Sequence, residues 1–142
     1  MIYISHRGNT NGSNPILENH PDYCLDAIKL GYDVELDVRY LNLEWVLGHD
    51  EPEYHIKVNF LQNPNFWLHA KNHEALVRGL ELGLHIFWHD QDDCVLTSKG
   101  YIWANIGIEI ENSIAVMPEI LGDSVETRIG ICSDIVEVYR KT

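Results

Sequence analysis

Residues 31–38, Gly31-Tyr32-Asp33-Val34-Glu35-Leu36-Asp37-Val38, decide how the chain is read. Acids alternate with aliphatic residues, the period-two pattern of a strand over 33–38. Asp33, Glu35 and Asp37 then share one face, and Val34, Leu36 and Val38 share the other. An apolar face packed on helices sends the acids into a barrel interior or its mouth. Carboxylates there are costly unless paired, protonated or bound to a cation. Glu-x-Asp at strand spacing offers oxygen ligands suited to Mg²⁺ or Ca²⁺. Taken alone, the stretch fits even better with a sheet-edge strand whose acids lie in water.

Working outward, Gly31 is a C-cap for a helix predicted over 21–30. Residues 2–5 read as a first strand, and 9–14 (NTNGSN) as a loop of turn formers. Strands follow at 45–48, 54–58, 66–70 and 84–88, with a helix over 73–82 ended by Gly83. Beyond these lie short strands at 95–97, 101–104, 113–117 and 129–132, with little room for helices between them. Early βα units followed by close-set strands predict an α/β domain, one small or incomplete TIM-barrel-like (β/α) unit spanning 1–142. A complete barrel of this kind takes ~250 residues. Several outer helices are therefore expected to be short or missing. A homodimer covering the bare barrel surface is the corresponding expectation.

The chain has 142 residues, 22 of them acidic and 10 basic, for a net charge of -12. That excess argues against nucleic-acid partners and against docking on anionic lipid, both of which draw on clustered Lys and Arg. An acidic protein acting on a phosphate ester repels its own substrate, and a carboxylate-held cation inverts the local sign. Cys24, Cys94 and Cys132 form no metal or disulfide pattern and read as thiols in a reducing compartment. No apolar run approaches the ~20 residues that span a bilayer, and no secretory signal opens the chain. A cytoplasmic location, without an integral membrane segment, is expected.

Chemistry concentrates around the acidic strand. Ser5-His6-Arg7-Gly8 follows the first strand directly. Arg7 can clamp a phosphate bidentately, Gly8 allows close backbone approach, and His6 titrates near neutral pH. His49-Asp50 ends a strand one element later. Two histidines at one strand mouth allow one to take a proton while the other delivers one. Trp88, Tyr101 and Trp103 read as core aromatics. His85 and His89 fall on one face of the 84–88 strand and read as structural or pocket-lining.

The ordered series His6-Arg7-Gly8, Glu18-Asn19, Gly31 with Glu35-x-Asp37, and His49-Asp50 resembles the glycerophosphodiester phosphodiesterase family, a phospholipase C-like group. The likeness covers roughly the first third of the chain. It continues more weakly in Trp67-Leu68-His69-Ala70-Lys71 and in Gly130-Ile131-Cys132-Ser133-Asp134. The resemblance implies a TIM-type barrel that cleaves a small phosphodiester. In that reading Glu35 and Asp37 hold a divalent cation, His6 and His49 are the acid/base pair, and Arg7 steadies the phosphate. Attack by a neighbouring hydroxyl of the substrate would give a cyclic phosphate first.

One position departs from the family pattern. Where its third carboxylate ligand stands, two residues before a lysine, this chain has His69 ahead of Lys71. An imidazole ligand shifts preference from Mg²⁺ or Ca²⁺ toward Mn²⁺ or Zn²⁺. Alternatively the third ligand is Glu109 or Glu111, or His69 only lines the pocket. Lys71 would offset phosphate charge in each case. The competing expectation is a degenerate barrel that binds a phosphorylated ligand or sugar without turnover.

Overall fold

A computed structural model describes residues 1–142. Its strands are β1 (Ile2–His6), β2 (Asp33–Leu41), β3 (Glu44–Leu47), β4 (Tyr54–Ile56), β5 (Phe66–Ala70), β6 (Ile86–Phe87), β7 (Cys94–Leu96), β8 (Ile102–Ala104), β9 (Ile114–Val116) and β10 (Gly130–Ser133). The helices are α1 (Pro21–Lys29), α2 (Val58–Leu61), α3 (His73–Glu81) and α4 (Val136–Lys141). All ten strands join one curled, mixed sheet, a half-barrel. A parallel series runs β6–β5–β2–β1–β10–β9–β8. The β3–β4 hairpin extends β2 antiparallel, and β7 lies antiparallel on β8. The ends of the series approach without a ladder. Ser98 N donates to Ile86 O (3.0 Å), and Ile86 N donates to Ser98 Oγ (2.8 Å).

This corrects the expectation of a TIM-barrel-like (β/α) fold. The helices have only nine, four, nine and six residues, and no helix follows β8 or β9. The crossovers there, 105–113 and 117–129, carry Gly107, Asn112, Pro118 and Gly122 and no apolar run of helical period. The β2–β3 turn is Asn42-Leu43, both at positive φ (52° and 67°), the geometry of a tight antiparallel hairpin rather than a helical crossover. Helices appear where amphipathic runs exist. In α3, Asn72 caps the first turn by accepting from Ala75 N (3.1 Å).

The alternation in β2 sorts its side chains as the pattern predicts. Val34, Leu36 and Val38 pack outward with Cys24 and Ala27 of α1, Leu68 of β5 and Ala75 of α3. Inside the curl, Ile4, Trp67, Phe87, Trp103, Ile114 and Cys132 form a second apolar cluster. Glu35 and Asp37 lie on this inner face at 2% and 0% exposure, which rules out acids standing in water at a sheet edge. On the outer face, Ala104, Ala115 and Ile131 are already 0%, 1% and 2% exposed within one chain. These three outer positions are thus covered within a single chain. No helix is long and apolar enough to cross a membrane.

Candidate active site

Strand register assembles the site. Parallel pairing sets His6 of β1 beside Glu35 of β2, and Asp37 of β2 beside His69 of β5. His6 Nε2 lies 3.5 Å from Glu35 Oε2, and His69 Nδ1 lies 3.4 Å from Asp37 Oδ1. Glu35, Asp37 and His69 each present one donor atom, all within 4.8 Å of one another.

The tautomer of His69 follows from its other nitrogen. Nε2 sits 2.8 Å from the carbonyl oxygen of His89, which can only accept, so Nε2 carries the hydrogen and Nδ1 a bare lone pair. Burial, against the pull of Asp37, holds the His69 pKa down at about 4, so the ring is neutral near pH 7. Two acceptors thus face each other, His69 Nδ1 and Asp37 Oδ1. Glu35 Oε1 and Asp37 Oδ1 are buried without a hydrogen-bond donor. Burial and then Asp37 push the Glu35 pKa up to about 7, against His6, Arg7 and Lys71. These lone pairs fit a divalent cation. One imidazole with two carboxylates leans toward Mn²⁺ or Zn²⁺ over Mg²⁺ or Ca²⁺.

The second oxygen of Asp37 is spoken for. Asn19 Nδ2 donates to Oδ2 (3.0 Å), while Asp37 N donates to Asn19 Oδ1 (2.9 Å). Arg7 Nε lies 3.1 Å from the same Oδ2, and Arg7 Nη1 is 3.5 Å from Glu18 Oε1. Arg7 and Asn19 both adopt positive φ, 56° and 66°; Asn tolerates this region readily, whereas Arg keeps it only where its surroundings enforce it. Gly8 follows at φ +93°, where a Cβ would fall 2.5 Å from the Tyr23 ring.

His6 is held from behind. Its Nδ1 lies 2.7 Å from Asp134 Oδ1, which also accepts from Asn9 Nδ2 (2.8 Å); Tyr23 Oη in turn donates to Asn9 Oδ1 (2.9 Å). Burial lowers the His6 pKa, but the Asp134 hydrogen bond and Glu35 outweigh it, and the net shift is upward. With Nδ1–H on Asp134, Nε2 faces Glu35 and the donor group. His6, Glu18 and Asp134 also gather within 4.8 Å. Hydrogen bonds to His6 and Asn9 already serve Asp134 there, so this second cluster does not call for a cation. Local pattern assigns no role to Asp134 or Asn19; for Asp134 the one signal in the sequence is an acid directly after a short apolar strand.

The remaining candidates spread wider. His49 is 37% exposed, with Nδ1 2.8 Å from Asp50 Oδ1, and no hydrogen bond or ion pair joins it to His6, Glu35 or Asp37. It shares with Arg7, Glu18, Asn19 and Glu53 a cavity of about 290 Å³ that no hydrophobic residue lines. Lys71 follows β5 and acts at longer range, its charge opposing ionic repulsion at Glu35 and protonation of His69. Glu109 accepts from Ser124 N (2.7 Å), and neither it nor Glu111 joins the donor group. β6 is shorter than the predicted 84–88, so His85 and His89 stand at its opposite ends. His89 contributes its carbonyl to His69. Trp103 is core, as expected, whereas Trp88 is 36% exposed and packs on His73.

No family model, curated protein or solved structure matches this chain. The fold and site together define a curled mixed-sheet domain with a buried acid–imidazole donor group beside an Asp-held histidine.

Proposed function

We propose that the protein is a metal-dependent phosphodiesterase that cleaves a small phosphodiester, with chemistry like that of the glycerophosphodiester phosphodiesterases. The facing lone pairs of His69 Nδ1 and Asp37 Oδ1, 3.4 Å apart, carry this reading. Glu35, Asp37 and His69 would hold a divalent cation, which would supply Lewis-acid polarisation of a phosphoryl oxygen. Arg7 and Lys71 balance the remaining phosphate charge. His6 Nε2, made more basic by Asp134, takes the proton of the attacking water or hydroxyl as the new P–O bond forms. His49 returns a proton to the leaving alkoxide as the old P–O bond breaks, releasing an alcohol.

Hydrolysis of bis(p-nitrophenyl) phosphate with Mn²⁺, Zn²⁺, Mg²⁺ or Ca²⁺ tests the proposal. Activity with at least one ion, abolished in His6→Ala without loss of the thermal midpoint, is the expected result. A second reading, binding of a phosphorylated ligand without turnover, draws support from Arg7, already paired with Glu18 and Asp37, and from the exposed His49. Saturable binding of a phosphate ester with no hydrolysis under any of the four ions would favour it.

A further inference from the structure

A larger cavity, about 630 Å³, opens at the other end of the strands, where Asp33 begins β2 and His85 precedes β6. We infer that this cavity is a second small-molecule site, one that takes a neutral polyhydroxylated ring such as a sugar or cyclic polyol. The inference is independent of the proposed phosphodiesterase chemistry. The half-buried rings of His85 and Tyr101 supply the accessible apolar surface, resting on the buried Trp67 (2% exposed) at 4.2 Å and 4.9 Å between centroids. Such a surface suits the C–H face of a saturated ring. The three rings are mutually tilted by 45°, 53° and 35°, so no parallel plates offer a slot for a nucleobase.

The polar groups are set for hydroxyls. Asp33 is pinned by Trp67 Nε1 (2.9 Å) and Asn65 Nδ2 (2.8 Å), which fixes a carboxylate with lone pairs to spare. Lys99 Nζ donates to Gly83 O (3.1 Å) and keeps further N–H donors. His85 Nε2 is matched to Thr97 Oγ1 (2.8 Å), while Nδ1 has no protein partner. Burial, with Lys99, holds the His85 pKa at about 4, so the ring is a neutral hydrogen-bonding group. One carboxylate, one ammonium and a neutral imidazole leave the lining without net charge, which suits an uncharged ligand.

The test is a titration of the wild-type chain, followed by ¹H–¹⁵N NMR, with methyl glucoside and with myo-inositol, adenosine serving as the aromatic comparator. Saturable shifts confined to the Trp67 indole and the Lys99 and Tyr101 amides, with either polyol, are expected. Asp33→Asn and Tyr101→Ala should each weaken that binding about tenfold. Neither polyol saturating, saturation by adenosine alone, shifts scattered over the surface, or undiminished binding in Asp33→Asn would overturn the inference. Because the mapping uses wild-type protein, a variant that fails to fold does not leave it undecided.

Discussion

Glu35 and His69 are both buried, yet burial moves their titrations in opposite directions. Without metal, Glu35 binds a proton more tightly folded, at about 7, than its ordinary 4.5, so its contribution is present below pH 4.5 and lost as pH rises through 7. His69, at about 4 against 6.5, contributes above pH 6.5 and loses that as pH falls through 4. Across the shared window the two slopes offset. Glu35→Gln removes the first and leaves the second. Metal-free Glu35→Gln should therefore gain stability from pH 4 to 6.5, and at pH 8 should exceed wild type. Urea midpoints across pH read both; equal stabilities at pH 8 would contradict the account. Asp134→Asn keeps the shape beside His6 but removes the carboxylate that fixes its tautomer. A loss of about 10²-fold or more in kcat, with KM little changed, is expected in steady-state kinetics.

Elements hold this chemistry in place through a few backbone commitments. Asn72 accepts from Ala75 N at the start of α3 and also exchanges hydrogen bonds with Tyr40 N (3.1 Å) and Tyr40 O (2.9 Å) in β2. Asn72→Ala should cost about 2 kcal/mol in chemical denaturation, more than the ~1 kcal/mol of an ordinary cap, because two bonds to β2 go with it. Gly8→Ala meets positive φ and the Tyr23 ring together. It should destabilise by about 2–3 kcal/mol and weaken Mn²⁺ binding, measured by calorimetry, because Arg7 and Asn9 flank it. Most elements were legible from local pattern: the strand at 33–38, the helices at 21–30 and 73–82, and the short late strands all appear. α2 and α4 were not anticipated, since four and six residues carry too little periodicity to read. β6 shrank to Ile86–Phe87, which separated His85 from His89.

For the whole molecule, a net charge of -12 surrounds a cavity that includes Glu18, Asp50 and Glu53. An anionic diester approaches against that field. At saturating metal, kcat/KM for such a substrate should rise about two- to fivefold between 20 and 200 mM salt, the reverse of electrostatic steering. A fall with salt would mean that local cation charge dominates the approach.

What the sequence determined by itself was local: the acid–aliphatic alternation, the helix ends, and the residue types able to hold a cation or move a proton. Those follow from side-chain periodicity and chemistry within a few positions. Long-range pairing alone makes the sheet a curled mixed half-barrel rather than a helix-alternating barrel, because crossovers poor in helix-forming pattern carry no local signal of where the chain returns. Only the tertiary structure set His69 opposite Asp37 and brought Asp134 to His6, 128 positions apart. Strand register and chain-end pairing join residues that no local pattern connects.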